Sequence, residues 1–499
     1  MYGGVKDMIK SIKDLKKCSS ECIIICAYFL LIVFIPKSIS TVFNVIPIRL
    51  FLSFTFILVM FFKIKKKLFI NTIVKNRVLL IVYCLFAIST IPSLLVSKSL
   101  VISCYTLLKF IIIPLLIIIC LTVKPNDNDK KLLFTVLTIS TILLVILSYL
   151  QYIFGIELFK EGIEKYPGAK GRVSVTFFNT IYYGIFLNLI SPIYILKYIK
   201  SKEKGNGLCF FAILLIIYIS LLLTFTRSAF LIFWSLAFIL ILFLINRRNV
   251  IKIFTILLSM LVLTFVIPGA KYMAYASINN GFQMIFKVDL IKDTKNNDNN
   301  NNSSNSDAKH ENNSSNVEND SNDNKNDNIN DNKNDNINDN KNDNKYGGDL
   351  SLIHREQFGD IAKRIGKDHP FTGVGFGAYM NYMDSDDFST LYSSYNGSKT
   401  HPHSAIILLY AECGIISVIF FFMFLFIIPI SLFIKLFKTL KFKDSNNYII
   451  YLCTFAISMG FIVVNIISEN AIYDAQIFPL FVIILFITYN FKKEDTHHK

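Results

Sequence analysis

The chain has 499 residues, of which 53% are hydrophobic and only 17% are charged, and its formal net charge is +16. A soluble chain of this length would carry about 25% charged residues, so the composition excludes an ordinary set of soluble domains. The basic residues lie beside long apolar runs and not on one soluble face, which argues against nucleic acid as a partner. The sequence therefore predicts an integral membrane protein whose first partner is the lipid bilayer.

The apolar runs predict an all-α, polytopic helical bundle with about 12 transmembrane helices. In chain order the predicted spans are 22–41, 43–62, 78–97, 100–123, 132–155, 174–196, 208–225, 228–246, 250–268, 404–434, 447–468 and 475–491. The first run follows several lysines, lacks a small-residue cleavage site and leads directly into another span. We interpret it as an uncleaved first helix and not as a signal peptide.

The basic residues between the spans predict the orientation of the bundle. With a cytoplasmic N-terminus, all seven inside segments are basic, whereas the short outer connections are poorer in Lys and Arg. The positive-inside rule then predicts a multi-pass plasma (inner) membrane protein with both termini in the cytoplasm. Spans 1 to 9 occupy 1–268, a large extracytoplasmic loop between spans 9 and 10 occupies 269–403, and 404–499 holds spans 10 to 12 and a cytoplasmic tail.

The middle of the outer loop, about 295–345, is a low-complexity repeat in which the octamer NDNKNDNI occurs twice. It has almost no apolar side chains to bury, so we expect it to be disordered. The spaced Asp residues also suggest calcium binding, although the Gly turn and the terminal Glu of an EF-hand are missing. We favour an expandable insertion.

Two arginines at the outer ends of spans are candidates for anion binding. Arg227 interrupts an apolar stretch at 208–246 that is too long for one crossing, which predicts two spans joined by a tight outer turn. Thr224, Thr226 and Ser228 beside it suit anion binding, and the alternative is a snorkelling interface anchor. Arg172 lies at the outer start of span six, where the alternative is an ordinary loop cation.

Two further cations fall deeper in the predicted spans. Arg49 and Lys109 lie about 9 and 15 Å from the outer side at 1.5 Å per residue. Either they line one cavity, or each pairs with a structural acid such as Glu469 or Asp474.

A His-Pro-His sequence at His401 and His403 comes immediately before span ten. The pair could ligate zinc, but no third ligand is evident, so we predict no metal and no other cofactor. A histidine at the boundary between water and membrane is suited to general-base catalysis on a hydroxyl. The alternative role for His403 is to cap the following helix.

The apolar stretch from Ser404 to Ile434 would be about 46 Å long as one helix, whereas the hydrocarbon core is about 30 Å thick. The interruption at Ala411–Gly414 therefore predicts a short outer helix, a turn and then a full crossing. Glu412 would lie near the outer face and orient an Arg or His. The glycine-rich run from Pro370 to Tyr379 is not a nucleotide loop, and we expect a flexible turn that lets backbone approach a bulky ligand.

Together these features resemble the O-antigen ligase and O-antigen polymerase superfamily. The resemblance rests on the outer loop between spans nine and ten and on four motifs in chain order. These are Thr226-Arg227-Ser228-Ala229, Pro370 to Gly377, His401-Pro402-His403-Ser404 and Glu412-Cys413-Gly414. The chain departs from the family pattern at Ser404, where the family has Asn, and at Val175, where it has Gly.

The resemblance implies a metal-independent glycosyltransferase that takes an oligosaccharide from a polyprenyl-pyrophosphate carrier at the outer membrane face. It implies that His403 is the catalytic histidine and that Arg172 and Arg227 hold the pyrophosphate. Arg355, Arg364, His401, Glu412 and Arg49 are further candidates for contact with the substrate.

The preferred reaction is polymerisation of the repeat units of a capsular or O-antigen-like surface polysaccharide. A ligase that moves the finished glycan to a lipid or wall acceptor is the first alternative. A transporter of polysaccharide or small anions is the second, although the sequence lacks the matching halves typical of transporters.

Overall fold

The computed structural model describes residues 17–35, 41–42, 46–155, 171–177, 179–201, 203–244, 249–267, 270–271, 273–275, 350–383, 401–439, 446–468 and 471–490. Contacts divide the chain into one unit of Met1–Ile278 with His354–Lys499 and a second unit of Asn279–Ile353. The predicted repeat at 295–345 lies outside the described residues, as do Glu469 and the side chain of Arg355.

The described part of the chain is helical apart from one short antiparallel ladder. Its helices are α1 (Ser20–Phe34), α2 (Ile48–Lys63), α3 (Lys66–Lys75), α4 (Arg77–Ser89), α5 (Ile91–Val96), α6 (Leu100–Thr122), α7 (Asp127–Phe154), α8 (Thr180–Lys200), α9 (Lys204–Leu223), α10 (Arg227–Leu244), α11 (Val250–Val266), α12 (Leu350–Asp368), α13 (Tyr379–Tyr382), α14 (Ala405–Lys438), α15 (Asn446–Val463) and α16 (Ile477–Asn490). Strands β1 (Thr41–Val42) and β2 (Ile46–Pro47) pair Thr41 with Pro47 and Val42 with Ile46. A π-helical turn at Val464–Ser468 and a 3₁₀ turn at Ala471–Tyr473 follow α15.

Every predicted span overlaps at least one of these helices, and α4 and α5 share the third. Eight helical stretches of the described residues are long and apolar enough to cross a membrane, with α4 and α5 counted together as one, and α1, α11 and α16 are shorter apolar helices. The chain is therefore a helical, polytopic membrane protein. The count of 12 spans and the placement of the large loop remain predictions.

Helix α8 lies in the interior of the bundle. It packs against α9, α10, α15 and α16, and Tyr183, Tyr194 and most of its other side chains are buried. A helix that is apolar and buried all round needs neighbours on every side. A Cβ added at Gly184 would lie 2.6 Å from the Cβ of Ala229, so α8 and α10 approach closely through two small residues.

Buried hydroxyls join the interior helices. The Ser220 hydroxyl on α9 lies 2.6 Å from that of Ser148 on α7 and 2.8 Å from that of Tyr183 on α8. The Tyr194 hydroxyl donates to Thr138 Oγ1 at 3.1 Å. Away from water an unsatisfied hydroxyl is costly, so these bonds fix the packing of the helices.

Helix α14 is broken at Gly414, whose backbone is not helical (φ 77°, ψ 178°). The structure thus confirms the interruption expected from the length of this apolar stretch. A side chain would be strained at this positive φ, which is why glycine occupies the break. The short segment from Ala405 to Cys413 therefore has its own direction and carries Glu412.

Candidate functional site

The tight turn between α9 and α10 is the first part of the candidate site. Helix α9 ends at Leu223 and α10 begins at Arg227, which confirms the short connection predicted at this arginine. The turn closes through hydrogen bonds from the Thr224 and Phe225 amides to the Leu221 and Leu222 carbonyls. Arg227 is half-buried at the first position of α10.

Arg172 is bound to this same turn. Its Nε donates to the Thr224 carbonyl at 3.0 Å, and its Nη2 donates to Thr226 Oγ1 at 3.1 Å. The next residue, Val173, donates its amide to the Leu223 carbonyl at 3.3 Å. The structure thus brings together the two arginines predicted to bind an anion. We name this group, Arg172 with residues 224–227, the arginine turn.

Two residues with unfavourable backbone conformations lie next to the arginines. Val175 has φ 54° and Phe225 has φ 47°, and they are the non-glycine residues with positive φ in the described ranges. A left-handed conformation costs roughly 1–2 kcal/mol for a residue with a Cβ. Such strain tends to cluster at functional sites.

The segment 171–177 is held at the C-terminal end of α1. The last carbonyls of a helix have no partner within it. Here the Val33 carbonyl accepts from Thr176 Oγ1 at 2.7 Å, and the Ile35 carbonyl accepts from Arg49 Nη2 at 2.7 Å. Arg49 Nη2 also donates to the Thr176 carbonyl at 3.1 Å. Arg49 therefore braces the segment that carries Arg172, and a cation at a helix C-terminus is electrostatically favourable.

Gln151 holds the same segment from the end of α7. Its side-chain oxygen accepts from the amides of Ser174 and Val175 at 3.1 and 3.0 Å. Val175 is fully buried, so without Gln151 its amide would be an unsatisfied donor. The position of Arg172 thus depends on polar side chains from several helices.

The glycine-rich run is the second part of the site. The Val374 amide donates to the Ala411 carbonyl and the Gly375 amide to the Glu412 carbonyl, each at 3.0 Å. A Cβ added at Gly373 would lie 2.2 Å from the Glu412 carbonyl carbon. This run therefore approaches the backbone of the broken helix α14, and its approach to a ligand stays a prediction.

Glu412 is fully buried beside the break. Its Oε1 accepts from the Tyr379 amide and its Oε2 from the Tyr473 hydroxyl, each at 3.4 Å. Burial, and then the nearby carboxylate, raise the pKa of Tyr473 well above its usual value, so its hydroxyl stays protonated as a donor. From the sequence we had expected Glu412 to orient an Arg or a His, whereas its carboxyl accepts hydrogen bonds from Tyr379 and Tyr473.

The two histidines differ in their surroundings. His401 is exposed, and its ring centroid lies 6.1 Å from that of Tyr379. His403 is half-buried two residues before α14 begins, and Ser404 holds the N-cap position without a side-chain cap bond. Tyr379 therefore contacts both Glu412 and His401. We name Tyr379, His401, His403, Glu412 and Tyr473 the histidine cluster.

Lys109 lines a small cavity of about 30 Å³ together with Leu50, Ser53 and Asp474. Its ammonium lies 4.3 Å from the centroid of the Tyr105 ring. Asp474 attracts both Lys109 and Arg49 electrostatically, and Glu412 also attracts Lys109. A structural acid near these cations is one of the two alternatives that the sequence left open, and both alternatives stay predictions.

The segment 471–476 connects the two parts of the site. At one end the Tyr473 hydroxyl donates to Glu412. At the other end Gln476 Nε2 donates at 3.0 Å to the Ile32 carbonyl, in the same helix end that holds Thr176. The arginine turn and the histidine cluster therefore belong to the same end of the bundle.

Arg364 is exposed on α12, and the side chain of Arg355 is outside the described residues. Within the described ranges, no group of three or more His, Cys, Asp or Glu could hold a metal ion.

The sequence reasoning missed Gln151, Thr176 and Gln476, which hold the segments of the site. Each is a polar side chain at the edge of an apolar run, and that position could have marked it as a candidate in the sequence.

Comparison with known proteins supports the resemblance. Residues 210–422 match the family model described as O-Antigen ligase. This range includes the turn at Arg227, the glycine-rich run, both histidines and Glu412, whereas Arg172 precedes it. No curated protein matches the chain. The match supports membrane glycan transfer of the O-antigen ligase or polymerase type.

Proposed function

We propose that this membrane protein, which matches the O-antigen ligase model, transfers a glycan from a polyprenyl-pyrophosphate carrier to an acceptor sugar hydroxyl. The transfer takes place at the outer face of the plasma membrane, in a bundle of 12 spans with both termini in the cytoplasm. The preferred reaction polymerises repeat units of a surface polysaccharide, and the alternative is ligation of the finished glycan.

One observation carries the proposal: the hydrogen bonds that tie Arg172 to Thr224 and Thr226 beside Arg227. A pyrophosphate leaving group gains negative charge as the glycosidic bond breaks, and guanidinium groups held in advance stabilise that charge. The strained residues Val175 and Phe225 support the same location.

In the proposed step His403 accepts the proton of the acceptor hydroxyl as the hydroxyl oxygen attacks the anomeric carbon of the donor sugar. The bond between that carbon and the pyrophosphate oxygen breaks, and the electron pair leaves with the polyprenyl pyrophosphate. Arg172 and Arg227 bind this leaving group. Arg49 acts on Arg172 through Thr176, so it is a positioning residue. Glu412 likewise acts as a positioning residue, because its carboxyl joins the break of α14 to Tyr379 and Tyr473.

The test is lipid and polysaccharide analysis of cells that carry His403→Ala or Arg227→Ala. Loss of one such group typically lowers a rate by about 10²–10³-fold. Polymerisation predicts that single-unit lipid accumulates, whereas ligation predicts that polymer-bearing lipid accumulates. His369→Ala and Arg77→Ala are matched controls, because each removes the same kind of side chain outside the arginine turn and the histidine cluster. His369 bonds Tyr382, and Arg77 is exposed at the start of α4. Normal polysaccharide in both site variants would contradict the proposal.

A further inference from the structure

A larger cavity of about 440 Å³ lies at the other end of the bundle. Helix α8 connects the two ends: Thr180 at its start accepts a hydrogen bond from Thr226 of the arginine turn, and its last turn lines the cavity. A helix of 21 residues is about 30 Å long, so this cavity is remote from the arginine turn. Its volume falls in the usual range of ligand pockets, about 300–1,000 Å³.

The cavity has apolar walls and a charged lining. Leu196, Phe210 and Ile449 belong to the walls. Lys197 and Lys200 lie one turn apart on the same face of α8, and Glu203 precedes α9. Among the residues that the structure describes, the two lysines and the glutamate of the lining sum to a charge of +1.

Two helix ends lie at the cavity, and together with Lys252 they favour an anion. The last carbonyls of α8 would repel one, but Lys252 Nζ donates to the carbonyls of Tyr198, Ile199 and Ser201 at 3.3, 3.0 and 2.7 Å. The N-terminus of α9 begins at the cavity, and the Glu203 side chain makes no cap bond there. Amides at a helix N-terminus attract negative charge.

We propose that this cavity binds an anionic phospholipid of the phosphatidylglycerol class, with the phosphodiester at Lys197 and Lys200. The single negative charge of a phosphodiester balances the lining charge of +1. Glu203, which already accepts from Asn206 Nδ2 at 2.5 Å, and Asn206 can bond the headgroup hydroxyls. The apolar walls suit the acyl chains. Basic pockets between membrane helices bind such headgroups in general.

Polyprenyl phosphate is the competing occupant, and the same lining disfavours it. It carries no headgroup hydroxyl, and its monoester phosphate brings about −1.5 to −2 charges towards Glu203. The site therefore prefers phosphatidylglycerol to polyprenyl phosphate, and the carboxylate of Glu203 provides that preference.

The test is a lipid titration of the purified, delipidated full-length protein, followed by native mass spectrometry. The probes are dioleoyl phosphatidylglycerol, dioleoyl phosphatidylcholine and polyprenyl phosphate. The variants are Lys197→Gln with Lys200→Gln, and separately Glu203→Gln. The control is Lys66→Gln with Lys67→Gln, which removes the same charge from two exposed lysines of α3. Melting temperatures in phosphatidylcholine check folding, and Lys200→Gln alone replaces the double variant if that variant does not fold.

We expect the wild type and the control to retain phosphatidylglycerol and the double lysine variant to bind it about 30-fold more weakly. Lys200→Gln alone should weaken binding about fivefold. Glu203→Gln should bring the affinities for phosphatidylglycerol and polyprenyl phosphate closer together. Equal retention by the control and the lysine variant would overturn the proposal. So would phosphatidylcholine binding as tight as that of phosphatidylglycerol, or tighter binding of polyprenyl phosphate.

Discussion

Arg172 is held at the arginine turn by a forked contact that only a guanidinium can make. Its Nε and Nη2 reach a carbonyl and a hydroxyl of the same turn at once. Lysine is a point charge and cannot bond both in that geometry. The contact therefore fixes the orientation of the guanidinium group as well as the location of its charge.

We expect Arg172→Lys to lose about tenfold or more in glycan transfer while it inserts and melts like the wild type. Polysaccharide yield at matched membrane expression measures the loss. Full activity in Arg172→Lys would show that charge alone suffices and that the forked contact has no role in transfer.

The strain at Val175 gives a second prediction at the scale of one residue. Val173 and Val175 are both fully buried in the same segment, but only Val175 has a positive φ. Val→Gly loses the same side-chain burial at both positions, whereas at Val175 it also relieves about 1–2 kcal/mol of backbone strain. Val175→Gly should therefore destabilise the protein by about 1–2 kcal/mol less than Val173→Gly. Equal losses in thermal unfolding would mean that Val175 is not strained.

At the scale of elements, the glycine-rich run and the broken helix α14 form one interlocked unit. Gly373 and Gly414 both have positive φ, and a Cβ at either would lie within 2.6 Å of backbone atoms of the other segment. The Ile415 amide donates to the Pro370 carbonyl at 2.8 Å, which closes the unit. This contact positions the break of α14, beside which Glu412 lies.

Gly373→Ala should destabilise the protein by about 3 kcal/mol, because the new Cβ meets rigid backbone and the positive φ disfavours alanine. Gly359→Ala in α12 is the matched control, since nothing lies within 4 Å of its added Cβ. The control should be stabilised by up to about 1 kcal/mol. Similar melting temperatures for the two variants would rule out the interlocked unit.

Apolar run lengths and isolated charges made several elements predictable. The runs placed the helices, Arg227 marked the tight turn, and the excess length after Ser404 marked the break at Gly414. Contacts across the chain were not predictable. Gln476 bonds Ile32 across 444 positions, and no local pattern encodes that pairing. The partners of Glu412 were missed for the same reason, since Tyr379 and Tyr473 belong to other segments.

For the whole molecule, the proposal assigns the arginine turn to the outer face and the basic segments to the cytoplasm. Reporter fusions that are active only outside the cytoplasm test this orientation. Fusions after Lys67 and after Asn490 should be inactive, and a fusion after Gly347 should be active. An active fusion after Lys67 would reverse the orientation and place the arginine turn on the wrong side for a lipid-linked oligosaccharide.

The repeat gives another prediction for the whole molecule. Residues 296–345 carry almost no apolar side chains that could pack against a helical bundle. Deletion of Asn296–Lys345 should therefore leave glycan transfer largely intact. A protein that inserts normally but makes no polysaccharide would show that the repeat takes part in the reaction.

The central claim is that His403 and the arginine turn break the bond between a glycan and its polyprenyl pyrophosphate. The most direct measurement is release of polyprenyl pyrophosphate from a lipid-linked donor by the purified protein in liposomes with an acceptor glycan. We predict release by the wild type and by His369→Ala, and about a hundredfold slower release by His403→Ala and Arg227→Ala. Release at the wild-type rate by both site variants would contradict the account.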